Sequence, residues 1–574
     1  MRLFCGLTLG IWILLIGCSP QSITKKSNGD QYFTKQNSLG IAKDLPEELV
    51  QQYVLAYVDT IESPKSSDQV NSRNLEKEIK DLYRYNNYSL LWTTLTAPNP
   101  DAKELLNALS ESFEHGLNPD HYLTDSLLSR FDETYSYSQE IDILDLIKLD
   151  VRLSSAYMAY VNDLHYGHID PSLLGEYWQL AKRKTELSPY LAGKSFKEGI
   201  KMVTPRTKAY LALQKELENY IALQELGGWS NIPDTMRVTF GSSHEAIYLL
   251  RDRLYYTGDY NKGLGYSSRE LTFDKDLKKA LSDFQSRHGL KPDGLLNFET
   301  IAALNIPIED RIDQIKINLE RLKWIPEYED DRIIEVNIPD FKLTLYKKSK
   351  VVKSFKAILG KTSSPTPVLE SKIEYITFSP SWFVTDVNFN RHVLPKLKKN
   401  PEYLDMLGYK LYARNDLKGE KPIDAKSVEW REIDVINSKF RALHSPNAED
   451  NMHGKIKFGM PNKEGLFICD AANPTLFDFS FRAFNFSSIS VENPELLAKY
   501  LLDDNDWSVM AIQDHMKSSK PESVTLDKGI DVNVIYLTAW VNEDGFLQFR
   551  DDVYGYDKAH AKLLRLEDDR WNQK

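Results

Sequence analysis

The hydrophobic periodicity of this chain changes once, near residue 332, and this change limits the possible folds more than any other feature. Before it, apolar residues recur at helical spacing, as at Leu75, Ile79 and Leu82. After it, apolar and polar residues alternate, as at Ile334 and Val336, which is typical of strands. A chain of 574 residues is long enough for several cores. The pattern predicts a multidomain α+β protein, all-α in its N-terminal part and mainly β in its C-terminal part.

The helical part divides into units of different size. The helical periodicity predicts an all-α scaffold domain at residues 46–230. It also predicts a small unit of three helices at residues 241–307, with a turn at "HGLKPDG". Residues 308–331 predict a helical connector to the mainly β domain at 332–574. A mixed helical insertion interrupts the β pattern at about 390–440 and is expected to cap that domain.

The N-terminus resembles the signal of an exported bacterial lipoprotein. Arg2 gives a basic start, and the apolar run that follows is shorter than the roughly 20 residues that a membrane span needs. Leu15-Ile16-Gly17-Cys18 resembles a lipobox, in which Cys18 would carry the lipid. The resemblance implies a signal at 1–18, a polar flexible tether at 19–45 and a lipid anchor, with the protein on the outer membrane facing the periplasm.

Charge and cysteine content exclude several classes of protein. Lysine and arginine total 72 against 83 acidic residues, so the net charge of −11 does not favour binding to nucleic acid. The cysteines are Cys5, Cys18 and Cys469, which leaves no pair for a disulfide once the signal is removed and Cys18 carries lipid. His165 and His168 form an H-x-x-H at a helix end, without an acidic or cysteine partner nearby in the sequence. The sequence therefore predicts no metal site and no cofactor.

The small three-helix unit contains a Phe-Gln, a His-Gly-Leu, an Asp-Gly and a threonine, in that order along the chain. With these residues at the family's spacing the unit resembles the peptidoglycan-binding module of cell-wall enzymes, and Asn297 stands where the family usually has glycine. The resemblance implies peptidoglycan as a partner. The alternative is that these residues hold the small fold together and bind nothing. The residues expected to bind peptidoglycan are Phe284, Gln285, His288, Gly289, Asp293 and Gly294.

The β-rich part of the chain and the segment before it contain the stretches "NLERLKWIPEYEDDRIIEVNIPDFKL", "IKFGMPN" and "TAWVNEDGFLQFRDDVYG". With these stretches the domain resembles the catalytic domain of L,D-transpeptidases, in the large form with a helical scaffold and a peptidoglycan-binding module. It implies that a cysteine thiolate attacks the carbonyl of a stem peptide and expels a terminal D-alanine. The thioester then passes to an amine of a neighbouring stem. A histidine two residues before the cysteine acts as the base.

The chain departs from this family at the reactive positions themselves. The family segment reads Ser-His-Gly-Cys-Ile-Arg, and Cys469 stands at an upstream position where the family has histidine. A serine without an adjacent base is a poor nucleophile, and losing nucleophile and base together typically costs about a million-fold in rate. We therefore expect an inactive envelope protein that binds peptidoglycan, tethers the wall or organises active cell-wall enzymes. The residues at the family's positions are Asn485, Phe486, Ser487, Ser488, Ile489 and Ser490.

Two alternatives remain open from the sequence. An active transpeptidase could use Ser488 or Cys469 as a non-standard nucleophile, and a histidine could be recruited from His444 or His453. The chain could also be a protein–protein interaction module whose altered cleft binds a partner.

The stretch "FDFSFRAFNFSS" has a structural interpretation as well. Its alternation predicts an aromatic-lined strand with a bulge near Arg482 and Ala483, in which Phe486 fills a pocket that a substrate would otherwise need. The predicted order places three aromatic residues on one face and two more after a one-residue shift: Phe477, Phe479 and Phe481, then Phe484 and Phe486.

Overall fold

The structure is a computed structural model, and it describes most of the chain from residue 42 onward. The N-terminal signal-like segment with Cys18 lies outside the described residues, as do Phe486, Ser487 and His453. The described ranges are 42–61, 75–136, 141–180, 185–261, 271–326, 332–384, 389–407, 409–415, 421–433, 439–444, 454–485, 488–503, 506–518 and 520–564.

The α-helices lie mainly in the N-terminal part, as the periodicity predicts. They are α1 (Glu47–Val58), α2 (Leu75–Tyr85), α3 (Pro100–Ser110), α4 (Thr124–Ser136), α5 (Ile143–Tyr166), α6 (Ser188–Leu191), α7 (Phe196–Val203), α8 (Lys208–Glu225), α9 (Ile247–Tyr256), α10 (Lys275–Arg287), α11 (Phe298–Leu304), α12 (Ile308–Leu322), α13 (Leu394–Leu397), α14 (Pro494–Leu502), α15 (Val509–Met516) and α16 (Tyr556–Leu563). Among the described residues, none of the helices has both the length and the apolar character needed to cross a membrane.

The strands begin at residue 332, where the period-two pattern begins. They are β1 (Arg332–Asn337), β2 (Lys342–Lys347), β3 (Lys350–Gly360), β4 (Leu369–Phe378), β5 (Trp382–Phe383), β6 (Tyr409–Ala413), β7 (Pro422–Ile423), β8 (Phe440–His444), β9 (Ile456–Gly459), β10 (Ile468–Cys469), β11 (Ala483–Asn485), β12 (Ile489–Val491), β13 (Glu522–Ile535), β14 (Ala539–Val541) and β15 (Leu547–Phe549). The predicted α+β fold, helical first and mainly β afterwards, is confirmed.

Nine of these strands form one sheet that curls back on itself. Their order is β11-β3-β12-β10-β9-β4-β13-β1-β2, and β2 also pairs with β3. The first half of β3 pairs with β2, and its second half pairs with β12 and β11. The inner face is apolar, with Val336, Ile376 and Val534 fully buried. The sheet therefore encloses a core and leaves its outer face for polar residues.

The scaffold is held together around one buried carboxylate. Asp150 on α5 accepts hydrogen bonds from the backbone N–H groups of Trp92 and Thr93, both at 2.8 Å, and from the hydroxyl of Tyr83 at 2.5 Å. A buried charge is tolerated only when hydrogen bonds satisfy it. Asp150 thereby fixes the loop after α2 against the long helix α5.

The scaffold also packs directly on the sheet domain. Gln179 N donates to Val368 O at 2.7 Å, so the part of the scaffold between α5 and α6 forms a short bridge to the strand region. Beneath this bridge, Arg321 of α12 donates to Asp557 of α16 at 2.6 Å, and both side chains are almost completely buried. The connector α12 is therefore part of the core rather than a free linker.

The small unit has three helices, α9, α10 and α11, as predicted, and it docks on the hairpin formed by β14 and β15. Arg550, just after β15, donates to the carbonyl of Arg287 at 2.8 Å, and the His288 ring stacks near Phe549 with centroids 5.5 Å apart. Gly289 at the docking point has a φ of +72°, and a Cβ there would lie 2.7 Å from Arg550 Cδ. Only glycine combines that backbone conformation with such a close approach.

The insertion at about 390–440 differs from the expected helical cap. Its helical parts are short turns, and α13 has four residues. A separate four-stranded sheet in the order β5-β8-β6-β7 organises it instead. A run of short, turn-separated segments carries little periodic signal, which explains why its strands were missed.

The aromatic stretch before β11 also differs from the prediction. Residues Pro474–Asp478 form a 3-10 turn with Phe477 buried, whereas the side chains of Phe479 and Phe481 are exposed. The strand begins only at Ala483, and its pairing with β3 is irregular between Ala483 and Asn485. The predicted bulge is confirmed, but the predicted strand N-terminal to it is wrong because Asn473-Pro474 starts a turn capped by the Asn473 side chain.

Candidate functional site

The two sequence segments that resemble the catalytic motif lie on neighbouring strands. Strand β12 pairs in parallel with β10, and Cys469 lies opposite Ser490 in the register. The side chains of residues in register project from the same face of a sheet. The Cys469 sulfur is 3.6 Å from Ser490 Oγ. The structure therefore brings together two segments that about twenty residues of chain separate, and their role as a functional site stays a prediction.

Cys469 has the chemistry of a structural thiol. It is 5% exposed, and burial raises its pKa from 9.0 to about 12, with the neighbouring Asp470 carboxylate adding to the rise. The hydrogen bond from Ser490 and the ammonium of Lys457 on β9 lower the pKa, but they do not compensate for burial. The thiolate is the nucleophilic form of cysteine. At neutral pH this group is a protonated thiol.

Ser488 lies immediately before β12 and is half-buried. Its carbonyl oxygen accepts a hydrogen bond from Asn485 Nδ2 at 3.2 Å. The same amide nitrogen lies 3.1 Å from Ile358 O and 3.0 Å from Ser490 Oγ. Asn485 thus ties the segment before the missing nucleophile to β3 and β12. This role of Asn485 was not predicted from the sequence. The feature that could have indicated it is an amide side chain at the position where the family has serine.

The candidate histidines do not provide a described base. His444 is the last residue of β8, in the four-stranded sheet of the insertion, and the structure describes its backbone but not its side chain. His453 lies outside the described residues, as do Phe486 and Ser487 at the family's histidine and glycine positions. Recruitment of His444 or His453 therefore stays a prediction.

Two residues of the motif form the frame around the site. Arg482 is buried and donates to the carbonyls of Phe479 at 2.6 Å, Phe341 at 2.9 Å and Ala357 at 3.1 Å. Asp470 accepts from the backbone N–H groups of Lys455 at 2.7 Å and Ile456 at 3.1 Å. These bonds join the segments before β11 and β9 to the sheet.

The predicted peptidoglycan-binding residues have internal roles in the small unit. The Gln285 side chain is fully buried; it accepts from Gly294 N at 2.7 Å and donates to Thr300 Oγ1 at 3.0 Å. His288 Nδ1 donates to the carbonyl of Phe284 at 2.8 Å. Asp293 Oδ1 accepts from Leu295 N at 3.0 Å, and Gly289 meets Arg550 as described above.

The same unit presents large apolar side chains that sequence reasoning missed. Leu295 is 54% exposed and Phe298 is 72% exposed, and both follow the Asp293-Gly294 turn. Nothing in the sequence signals their exposure, because the neighbouring apolar residues Leu296 and Ile301 are buried. Direct contact between the motif residues and peptidoglycan stays a prediction, because no bound ligand tests it.

The H-x-x-H pair at the end of α5 does not converge. His168 Nδ1 lies 2.7 Å from Asp163 Oδ2, and the His168 ring stacks on His121 at 4.3 Å. His165 Nδ1 lies 3.3 Å from the carbonyl of Val203. The expectation that no acidic partner is near was wrong, since Asp163 sits five residues before His168. Across the described ranges, no group of three or more histidine, cysteine, aspartate or glutamate side chains could hold a metal ion.

Comparisons with known families agree with this arrangement. Residues 331–489 match the model of the L,D-transpeptidase catalytic domain. Residues 243–304 match the model described as "Putative peptidoglycan binding domain", and residues 77–217 match a scaffold domain.

A relative in Haemophilus influenzae (strain ATCC 51907 / DSM 11121 / KW20 / Rd), named "Putative L,D-transpeptidase", is 31% identical over 328 residues. The alignment covers 54% of this chain and 65% of that protein, so the chain spans a little under two thirds of the relative's length. The family resemblance drawn from the sequence is confirmed.

Proposed function

We propose that this chain, which contains an L,D-transpeptidase catalytic domain beside a peptidoglycan-binding domain and a scaffold domain, acts at peptidoglycan without catalysing transpeptidation. The observation that carries the proposal is the state of the two candidate nucleophiles. Ser488 stands at the position of the family's cysteine, and Cys469 is a buried thiol with a pKa of about 12. Neither group is poised to form an acyl-enzyme.

The competing enzyme hypothesis requires that Ser488 or Cys469 lose its proton. A serine nucleophile needs an adjacent base to accept its proton, and the family's histidine position is occupied by Phe486. Cys469 would have to lose its proton against the effect of burial, and its sulfur faces Ser490 on the next strand. A wall-binding role requires neither step.

The docking of the small unit supports a binding role. Arg287 and Arg550 join this unit to the β14–β15 hairpin, so the two peptidoglycan-directed domains form one connected body. Leu295 and Phe298 follow the Asp293-Gly294 turn of the small unit and are exposed, so a polymer can reach them. In our proposal they are the direct contacts, and Gln285 and its neighbours hold the fold behind them.

The lipid anchor completes the proposed tether. If Cys18 carries the lipid, residues 19–45 provide a polar segment between the membrane and the scaffold. Such a chain would hold the outer membrane against the wall, with its periplasmic domains bound to peptidoglycan. Organisation of active cell-wall enzymes is the second role open to the same architecture.

Two measurements decide between binding and catalysis. A carbapenem acylates a reactive nucleophile, so intact-mass analysis after incubation should show no adduct on the purified protein. An adduct mapped to Ser488 or Cys469 would establish the enzyme hypothesis.

Sedimentation with purified sacculi tests the binding role. The wild-type protein should sediment, and Leu295→Ser/Phe298→Ser should sediment less. The matched control is Leu226→Ser, because Leu226 is also highly exposed but lies outside the small unit. Failure of the wild-type protein to sediment would contradict the proposed function.

A further inference from the structure

Three phenylalanines form an exposed apolar surface beside the altered site, and we call Phe479, Phe481 and Phe484 the phenylalanine platform. They are 55%, 52% and 39% exposed, respectively. The platform leads through β11 toward Ser488, so it lies next to the position of the missing nucleophile. Isolated exposed apolar residues are common, but a contiguous aromatic group on one face marks a binding surface.

The platform is held in place by its own backbone. Arg482 lies in the middle of the segment with its side chain turned inward, and its guanidinium donates to the carbonyls of Phe479 at 2.6 Å and Ser480 at 3.3 Å. The same guanidinium reaches Phe341 O and Ala357 O on the sheet domain. Because Arg482 fixes the backbone, the neighbouring phenylalanines project outward without a cost for ordering the loop on binding.

The rings are arranged so that they do not cover one another. Phe484 contacts Phe479 and Phe481 edge to face, with centroids 6.0 and 6.2 Å apart and planes near 80°. Phe481 rests in turn on the buried ring of Phe341 at 5.5 Å. Edge-to-face packing leaves ring faces open to solvent, whereas a collapsed apolar cluster would bury them.

The charge around the platform favours a neutral ligand. Within 479–485 the charged residue is Arg482, and its guanidinium is committed to backbone carbonyls. The exposed carboxylate of Asp478 directly precedes the platform and disfavours an anionic ligand, and Lys361 follows β3, its backbone N–H donating to Asn485 O at 2.9 Å. On the neighbouring strands, Lys342 lies 3.2 Å from Asp340 and Lys356 lies 3.5 Å from Glu492. A stem peptide carries carboxylates that call for cations, whereas the sugar backbone of a glycan has apolar C–H faces. Those C–H groups carry partial positive charge and suit the negative face of an aromatic ring.

We propose that the phenylalanine platform stacks on the sugar rings of the glycan strand of peptidoglycan. This inference rests on the proposed wall-binding function and adds a second contact, separate from the small unit. The altered catalytic domain then holds the polysaccharide backbone rather than reacting with the peptide.

The experiment measures binding of the purified full-length protein to an N-acetylglucosamine tetramer, which has no peptide, and to a sugar-free stem tetrapeptide. Titration calorimetry should detect the tetramer. Phe479→Ala/Phe481→Ala should weaken tetramer binding about tenfold or more. The control is Phe113→Ala, since Phe113 is a similarly exposed phenylalanine on the scaffold. Thermal unfolding of each variant verifies that it is folded.

A second variant, Phe479→Leu/Phe481→Leu, separates sugar stacking from general apolar docking. Leucine retains apolar area but has no ring face, so tetramer binding should fall nearly as far as with alanine. Undiminished binding by the leucine variant, or a loss of self-association in the alanine variant by sedimentation velocity, would assign the surface to a protein partner and overturn the proposal.

The sacculus assay keeps the two proposals distinguishable. If the wild-type protein sediments with sacculi but does not bind the tetramer, the glycan proposal fails and the wall-binding function stands. If it binds neither, both fail. Preference for the stem tetrapeptide over the tetramer would also contradict the platform's assigned ligand.

Discussion

Unfolding the protein should make the buried thiol of Cys469 reactive, and comparing the folded and unfolded protein tests the proposal that the site is inactive. With a pKa of about 12 instead of 9.0, the thiolate fraction at pH 7 falls about a thousandfold. A more basic thiolate is intrinsically more nucleophilic, which raises its rate constant roughly 15- to 30-fold for a pKa that is three units higher. Alkylation of the folded protein should therefore be slower by roughly 30- to 60-fold before steric exclusion of the reagent is counted.

The assay treats the protein with iodoacetamide at pH 7, either folded or in urea, and follows the peptide that contains Cys469 by mass spectrometry. Peptide mapping separates this thiol from Cys5 and Cys18. Cys469→Ser confirms the assignment of the modified peptide. The folded protein should show little modification over the time in which the urea sample reacts completely.

One result would refute the argument. If Cys469 in the folded protein reacts within about fivefold of its rate in urea, the thiol is neither protonated nor buried as the structure indicates. Cys469 would then have to be considered again as a nucleophile, together with a recruited histidine.

The remaining predictions concern the stability of the scaffold, the connector α12 and the small unit. Burial lowers the pKa of His115 from 6.5 to about 4, so the unfolded chain takes up a proton at a higher pH than the folded protein does. The contribution of His115 to the free energy of unfolding should therefore be complete above pH 6.5 and fall as the pH drops toward 4. His115→Gln should reduce this pH dependence, as measured by urea unfolding. Arg321→Met leaves the Asp557 carboxylate buried and unpaired, and should cost about 3–5 kcal/mol of unfolding free energy. Asp150→Ala leaves several buried N–H groups without acceptors and should cost several kcal/mol, seen as a lower urea midpoint. Gly289→Ala should lower the thermal midpoint, because its left-handed φ and its close neighbour both disfavour a Cβ.

The sequence predicted the fold class because the alternation after residue 332 is a local pattern that identifies strands. The predicted place of the altered site came instead from the resemblance of residues 482–491 to the family's segment. The contact between Cys469 and Ser490 depends on a parallel pairing of distant strands, which no local pattern records. The 3-10 turn that buries Phe477 was missed because alternating phenylalanines fit a strand equally well.

In the small unit, too, the sequence did not show which residues are exposed. Its resemblance to a peptidoglycan-binding module is confirmed, but a motif does not tell whether a side chain faces solvent or the core. Gln285 satisfies buried groups on three sides, while Leu295 and Phe298 outside the motif are exposed. The exposed pair could be found only after the helices α10 and α11 were placed against each other.

The frame of the altered site stays intact because none of its bonds depends on the missing reactive groups. Arg482 donates hydrogen bonds to backbone carbonyls, and Asp470 accepts hydrogen bonds from backbone N–H groups. Gly454 has a left-handed φ of +92° and lies so close to Asp470 that a Cβ would not fit. Asn485 supplies further bonds where the family has serine. The residues that stand in place of the family's nucleophile and base therefore leave all of these supports in place. Since Arg482 also positions the phenylalanine platform, disrupting this residue should impair ligand binding and stability together, whereas truncating the exposed rings should impair binding alone.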